Sequence, residues 1–251
     1  MKPLDFMIVG AQKCGTTALS EFLNQHSRIQ MAEGKEVHLF DSDTFDSLWS
    51  PQEISERYEQ FFAVPEEGQM LGEATPVYLF FPEIAGQLAS YNPELKIIVV
   101  LRDPVERAYS HYRMERGRGN ESKPFWLALL LESFRLKRDP NPRDEMSSLR
   151  RHSYRTRGLY SDQLANLLSH FPEKQVLVIG SDNLRHDHQV TLAKIFEFLE
   201  LPDEHIEPGE VFSQPGSLTE VPFSSYFLRK SFKDELETLN RMVDFPVSDW
   251  C

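Results

Sequence analysis

The sequence predicts an α/β fold in which helices cover both faces of a mainly parallel β-sheet. Three short apolar runs carry the signal: FMIVG at 6–10, KIIVVLR at 96–102 and QVLVIG at 175–180. Each is rich in β-branched residues and ends in turn residues, which is typical of strands buried on both faces. The stretch MLGEAT at 70–75 is a fourth strand candidate. Helical segments alternate with these strands, and that alternation is typical of a parallel sheet.

Five helical segments follow or separate the predicted strands. The first, at 17–26, places Leu19, Phe22 and Leu23 on one face, as an amphipathic helix requires. Two of the others begin with proline, whose fixed φ suits the first helical turn. These remaining segments span 82–91, 104–117, 161–171 and 187–201.

Two segments fit this alternation poorly, namely 118–156, with a charged and proline-bearing part, and the stretch that begins at 202. We expect one domain over residues 1–251, in which 118–156 and 202–230 act as lid or substrate segments. Long loops in compact domains are often functional, although a solvated surface connection is the alternative.

The composition is acidic. Lys and Arg total 27 and Asp and Glu total 39, so the net charge is −12. Such a chain binds nucleic acid and anionic membranes poorly, and any anion must be held by a local site. The two cysteines, Cys14 and Cys251, do not make a disulfide framework. Because no stretch is typical of a signal peptide or a membrane-spanning helix, we expect a cytoplasmic protein. The sequence does not determine the oligomeric state.

The strongest motif is GAQKCGTT at 10–17, between a strand and a helix. A glycine-containing turn that leads into a helix N-terminus presents backbone amides and the positive end of the helix dipole to an anion. The anion-binding candidates are Lys13, Cys14, Gly15, Thr16 and Thr17. In the Walker loop the lysine follows the second glycine, whereas here it precedes it. We also find no clear acidic strand end for a metal. The motif therefore predicts a P-loop-like phosphate site without a metal, and an ordinary βα turn is the alternative.

A second anion site is predicted where the strand at 96–102 ends. Arg102 lies at its carboxyl end, where open α/β sheets bind ligands, and Ser110 follows two helical turns later. A guanidinium and a hydroxyl together bind a phosphate well. We expect Asp103 to cap the helix between them. A structural salt bridge is the alternative role for Arg102.

Two anion sites suggest a ligand with phosphate groups at two ends. The two motifs also resemble those of a known family. GAQKCGTTAL and LRDPVERAYSHY resemble, in order, the two cofactor motifs of sulfotransferases that use 3′-phosphoadenosine 5′-phosphosulfate (PAPS). KEVHLFDSD at 35–43, GEATPVY at 72–78 and RGLY at 157–160 are similar to segments of the heparan sulfate N- and O-sulfotransferase branch. The resemblance covers most of residues 5–200. It implies the sulfotransferase fold and a stand-alone enzyme of the bacterial type.

The resemblance implies a role for each motif. Lys13 would stabilise the leaving phosphate, the loop around it would bind the 5′ end of PAPS, and Arg102 with Ser110 would hold the 3′-phosphate, releasing 3′-phosphoadenosine 5′-phosphate (PAP). Tyr160 of RGLY would lie near the cofactor. The family's basic loop near the C-terminus has no good copy here, and Arg229 and Lys230 in FLRKSFK are our replacement candidates.

By the same resemblance, Glu36 would be the catalytic base. His38 and Asp41 would orient it or the substrate, and Lys35 would flank the acceptor. In an extended segment Glu36 and His38 point to one side. Without the resemblance, Glu36 would be interpreted as a solvated loop carboxylate. His38 would be interpreted as a histidine that packs or hydrogen-bonds within the structure.

One position departs from the family pattern. Related enzymes commonly carry lysine after the glutamate of the motif at 72–78, and here the residue is Ala74. The missing charge and the acidic composition argue against a heavily sulfated polymer as acceptor. We expect a less charged glycan, a glycolipid or a small hydroxylated metabolite.

Two rival functions remain open on the sequence alone. A P-loop kinase-type phosphoryl transferase would require magnesium and a Walker-type Gly-Lys-Ser/Thr, which the chain lacks. A non-catalytic binding module would have no need to keep Lys13, Glu36 and Arg102 together.

Overall fold

A computed structural model describes residues 1–34, 36–139, 141, 144, 146–209 and 224–250. The chain divides into two compact units. The first comprises Met1–Leu101 and Gln163–Gln214, and the second comprises Arg102–Asp162 and Pro215–Cys251. The expectation of a single domain over 1–251 stays a prediction.

The first unit contains a parallel sheet of five strands among the described residues. The strands are β1 (Phe6–Gly10), β2 (Ile29–Met31), β3 (Met70–Ala74), β4 (Lys96–Leu101) and β5 (Val176–Gly180). Their order is β2-β3-β1-β4-β5, and every neighbouring pair is parallel. The predicted parallel α/β fold is therefore confirmed, with the four predicted strands in place. The sequence analysis missed β2, since three residues at a sheet edge give no periodic signal.

Helices alternate with the strands along the chain. They are α1 (Thr16–Leu23), α2 (Pro51–Tyr58), α3 (Pro82–Tyr91), α4 (Pro104–Gly117), α5 (Phe125–Lys137), α6 (Ser148–His152), α7 (Tyr160–Leu168), α8 (Ser181–His186), α9 (His188–Leu199), α10 (Ser224–Lys230) and α11 (Lys233–Leu239). All five predicted helical segments are helices, and α3 and α4 have the predicted bounds. Among the described residues, no helix is both long and apolar enough to cross a membrane.

Helix α2 was not predicted, although its N-terminus carries a sequence signal. The Ser50 side chain accepts from the Glu53 amide, and the Glu53 carboxylate accepts from the Ser50 amide. This reciprocal pair is a capping box, and Pro51 occupies the first helical turn. Serine, proline and glutamate at that spacing indicate a helix start.

The core of the first unit lies around β1 and β4, whose apolar side chains are buried. Gly10 owes its identity to this packing, because a Cβ there would lie 2.5 Å from the Leu79 side chain. The end of β1, where the predicted anion-binding loop begins, thus packs closely against the 3-10 turn at Tyr78–Phe80.

The second unit contains α4, α5, α6, α10 and α11. Asp103 caps α4 by accepting from the amides of Val105 (2.7 Å) and Glu106 (3.1 Å), which confirms the predicted cap. The buried Glu132 of α5 accepts from the backbone amides of Arg155 and Thr156. The described residues of segment 118–156 thus include the helices α5 and α6 with internal polar contacts, and the lid role of the segment stays a prediction. Residues 210–223 of segment 202–230 lie outside the described residues.

Candidate active site

The loop between β1 and α1 has the backbone of an anion site. Gly15 precedes α1 with φ 97°, and Lys13 has φ 73°. The Cys14 amide donates to the Ala11 carbonyl over 3.1 Å, which closes a tight turn. Cys14 and Thr16 are buried, whereas Thr17 is half-buried. The first amides of α1 have no carbonyl partner within the helix, as at any helix start, and they face the loop.

Backbone strain in the first unit coincides with the predicted catalytic residues. Four non-glycine residues in the described part of the chain have positive φ: Lys13, Glu36, His38 and Glu200. A left-handed conformation costs free energy for residues with a Cβ and persists only where the surroundings enforce it. Three of the four are the residues that the sequence analysis placed at the reaction centre. Such strain is typical of functional sites.

The loop at residues 36–41, here named the base loop, brings two carboxylates to one imidazole. His38 Nε2 lies 3.2 Å from Glu36 Oε2, and His38 Nδ1 lies 3.0 Å from Asp41 Oδ2. Asp41 is buried, while the His38 side chain is 43% exposed and the Glu36 side chain 24% exposed. The three predicted residues therefore form one cluster, with an anchored end at Asp41 and an accessible end at Glu36.

The electrostatics of this cluster favour a charged imidazole. Burial alone would lower the pKa of His38, but the hydrogen bonds and charges of Asp41 and Glu36 outweigh it and raise that pKa to about 10. At neutral pH His38 is an imidazolium between two carboxylates. Its fixed position orients the Glu36 carboxylate.

A third carboxyl group lies next to the cluster and was missed by the sequence analysis. Glu73 on β3 is fully buried, and its Oε2 accepts from the Thr75 hydroxyl over 3.0 Å. Its Oε1 has no hydrogen-bond partner among the described residues. Burial raises the pKa of Glu73 to about 8, although Thr75 and the nearby positive charge of His38 lower it. The available signal was a charged residue inside a predicted buried strand.

In the second unit, Arg102 is held by an ion pair. Its Nε and Nη2 both donate to Glu106 Oε2, over 3.0 and 2.6 Å, and its side chain is only 15% exposed. Nη1 lies outside this pair. Glu106 and Ser110 are four residues apart in α4 and therefore share a face. The alternative foreseen for Arg102, a structural salt bridge, is thus present.

Tyr160 and Arg229 make contacts within the second unit. The buried Tyr160 donates its hydroxyl to the Arg102 carbonyl over 3.0 Å, so it fixes the backbone that carries Arg102. Arg229 pairs with Asp103 over 3.0 Å and donates to the Trp250 carbonyl over 2.6 Å. Burial raises the pKa of Asp103, and the Arg229 charge opposes that rise. Direct nucleotide contacts by Tyr160 and Arg229 stay predictions.

Two further predicted residues complete the inventory. Lys230 is exposed on α10, and Lys35 lies outside the described residues. Neither Glu106 nor Glu73 was among the predicted residues, although Glu106 follows Arg102 by four residues, a spacing that the sequence shows. The predicted residues therefore fall into two groups, one in each unit. The first unit holds the loop at 10–17 and the base loop. The second unit holds Arg102, Ser110, Tyr160, Arg229 and Lys230.

Comparison with known proteins gives one consistent result. The sulfotransferase domain family matches residues 3–213. The human heparan sulfate glucosamine 3-O-sulfotransferase 3B1 is 31% identical over 196 residues, which are 78% of this chain and 45% of the relative. The human bifunctional heparan sulfate N-deacetylase/N-sulfotransferase 3 is 29% identical over 77% of this chain and 22% of its own length. This chain thus spans less than half the length of these curated relatives.

A solved structure matches over the whole chain. The sulfotransferase from Alicyclobacillus acidocaldarius has a TM-score of 0.80 and 26% identity, and the match covers 100% of this chain and 99% of that one. The sulfotransferase domain from the curacin biosynthetic pathway, at 16% identity and a TM-score of 0.57, shows the same fold.

Proposed function

We propose, since this chain belongs to the sulfotransferase family and has the sulfotransferase fold, that it transfers the sulfuryl group of PAPS to a hydroxyl or amine of an acceptor. The family and fold agree with the resemblance found in the sequence. The assignment of the reaction centre rests on the base loop. There Glu36 and His38 have left-handed backbone, and Glu36 Oε2 lies 3.2 Å from His38 Nε2.

The proposed reaction is an in-line displacement at sulfur. The acceptor oxygen or nitrogen attacks sulfur and forms the new bond, and the bond from sulfur to the 5′-phosphate oxygen breaks. The acceptor proton passes to the Glu36 carboxylate, which acts as general base. The electron pair leaves with the phosphate oxygen, so negative charge develops there. Lys13 and the amides at the start of α1 stabilise that charge.

His38 and Asp41 support the base in this scheme. Asp41 is buried and holds Nδ1, so the ring presents Nε2 to Glu36. A charged imidazolium at 3.2 Å restricts the carboxylate to one orientation, and correct orientation contributes much of the rate in such reactions. We therefore assign Glu36 as a catalytic residue and Asp41 as a positioning residue.

The resemblance assigns nucleotide contacts to residues in each group. In the first unit, Lys13, Gly15, Thr16 and Thr17 would bind the 5′-phosphosulfate. In the second unit, Arg102 would bind the 3′-phosphate through Nη1, because Nε and Nη2 already contact Glu106. Ser110, on the same helix face as Glu106, would add a hydroxyl donor. We propose that no metal takes part, since the loop lacks the Walker order of lysine and hydroxyl.

The acceptor is proposed to be weakly charged. Ala74, half-buried at the end of β3, stands where related enzymes commonly carry lysine. The relatives named above act, by their names, on heparan sulfate, which is a polyanion. Loss of a cation from the motif and a net charge of −12 both weaken attraction to a polyanion. A glycan of lower charge, a glycolipid or a small hydroxylated molecule fits better.

The deciding experiment is a calorimetric titration of the protein with PAP, with ATP and magnesium, and with adenosine 5′-phosphate. Tight binding of PAP without a metal supports the proposal. A preference for ATP with magnesium would favour a phosphoryl transferase instead. Transfer of labelled sulfate from PAPS to a panel of neutral and sulfated glycans then identifies the acceptor class.

A further inference from the structure

The base loop is fastened to the segment that follows β3. The His38 amide donates to Thr75 Oγ1 over 3.3 Å, and the Phe40 amide donates to the Tyr78 hydroxyl over 3.3 Å. Thr75 is fully buried, and Tyr78 is 1% exposed. Two amides of a strained loop are thus held by side chains rather than by regular secondary structure.

The direction of the Thr75 hydroxyl is fixed by a second bond. A hydroxyl has one proton to donate and lone pairs to accept with. Because Thr75 donates its proton to Glu73 Oε2 over 3.0 Å, it presents a lone pair to the His38 amide. Glu73 therefore acts on the base loop through Thr75, and it also accepts a hydrogen bond from the Val37 backbone in the loop itself. This use of a buried carboxyl group differs from the roles already given to Glu36 and Asp41, which contact the imidazole directly.

The base loop requires such support. Glu36 and His38 have φ values of 64° and 56°, and a residue with a side chain leaves this conformation unless neighbouring contacts hold it. Relaxation of the loop would also break the 3.2 Å contact between the Glu36 carboxylate and the imidazole. The geometry of the base thus depends on bonds made to the loop backbone.

We propose that Thr75, and Glu73 through it, are positioning residues that hold the base loop in the conformation in which Glu36 accepts the acceptor proton. The inference rests on the proposed function in that Glu36 is the base. Neither residue contacts the reacting atoms in this account. A purely structural role for the hydroxyl is the competing explanation.

The kinetic test compares Thr75→Val, Thr75→Ser and, as a matched control, Thr191→Val at a buried threonine of α9. We expect Thr75→Val to lower kcat about 10- to 100-fold, because small misplacements of catalytic groups have effects of that size. KM for PAPS and the affinity for PAP stay unchanged, and Thr75→Ser restores most of kcat. The control keeps wild-type kcat.

The proposal is overturned if Thr75→Val retains kcat, or if Thr75→Ser loses as much as Thr75→Val. Glu73 is tested in parallel. Glu73→Gln keeps an acceptor for the Thr75 hydroxyl and should retain more kcat than Glu73→Leu, which has none and behaves like Thr75→Val. Equal losses in both Glu73 variants would overturn the positioning role of Glu73, because glutamine keeps the acceptor and leucine does not.

A second readout does not depend on activity. NMR titration of the His38 ring, assigned by its absence in His38→Asn, reports whether Glu36 and Asp41 still flank it. We expect the pKa of His38 to lie near 10 in the wild type and at least one unit lower in Thr75→Val. An unchanged pKa in a folded variant overturns the positioning role. If the wild type transfers no sulfate, the proposed function fails, and this titration still decides the positioning of the loop.

Discussion

Replacement of Glu73 by glutamine should stabilise the protein above neutral pH. The Glu73 side chain is fully buried, and burial raises its pKa from 4.5 to about 8. A carboxyl whose folded-state pKa lies above its unfolded value favours folding in the protonated form. Its contribution to stability is therefore present below pH 4.5 and declines as the pH rises from 4.5 to 8. Glutamine resembles the neutral acid and does not titrate.

The magnitude follows from the shift of the Glu73 pKa. About 3.5 units at 1.36 kcal/mol each set an upper limit of about 5 kcal/mol at pH 8. Relaxation and water penetration reduce such penalties, so we expect Glu73→Gln to gain about 2 kcal/mol or more at pH 8 and little at pH 5. Since Oε1 accepts no hydrogen bond from described residues, the amide loses no existing contact there.

The assay is urea unfolding followed by circular dichroism at pH 5, 6, 7 and 8. Wild-type protein should lose stability more steeply than Glu73→Gln over this range. The exposed residue Glu21 of α1 provides a matched control, and Glu21→Gln should keep the wild-type slope. Parallel curves for wild type and Glu73→Gln would refute the argument, because they would mean that Glu73 titrates at its ordinary pKa.

Four further predictions concern the site. Glu36→Gln should lower kcat about 100- to 10,000-fold, as expected for loss of a general base, while calorimetry shows unchanged PAP affinity; surviving activity would exclude Glu36 as the base. Arg102→Ala should weaken PAP binding about 10- to 100-fold, as loss of a charge-assisted bond implies, and should leave adenosine 5′-phosphate binding nearly unchanged; equal losses would contradict the two-site assignment. His38, whose pKa is raised to about 10, contributes stability below pH 6.5 that is lost as the pH rises toward 10; Asp41→Asn should lower that pKa in an NMR titration, and an unmoved pKa would mean that Glu36 alone holds the proton. Ala74→Lys should raise the relative transfer rate to highly sulfated glycans over neutral ones in a competition assay, and an unchanged ratio would remove Ala74 from acceptor selection.

The elements that sequence reasoning identified are those with local signals. β1, β4 and β5 are apolar runs, and the loop at 10–17 combines glycines, a lysine and a helix start in eight residues. Helix α2 also had a local signal, the capping box at Ser50, which was overlooked. β2 had none, because its three residues become a strand only by pairing with β3.

The candidate residues of the site were predicted, but the contacts that hold them in place were not. Glu36 and His38 were selected by the family resemblance, and their side chains were expected on one side if the segment were extended. Both residues instead have left-handed backbone. The extended form would have put both side chains on one side by alternation. The structure brings them together through a turn instead, and Asp41 reaches the same ring from three residues further on. Such geometry depends on contacts with the segment that follows β3, which no local pattern contains.

A buried acid beside a reaction centre needs a reason that stability alone does not supply. Glu73 would cost less as an apolar residue, because its carboxyl is fully buried and half of its hydrogen-bonding capacity is unused among the described contacts. It accepts from the hydroxyl that holds the His38 amide and also from the Val37 backbone in the base loop. The unfavourable burial of the acid thus accompanies contacts that hold the strained backbone of the base loop. This pairing of local strain with a stabilising partner is typical of sites in which function opposes stability. The pH series on Glu73→Gln measures the stability that is lost by burying the carboxyl. The Thr75 variants measure how much its positioning of the base loop contributes to kcat.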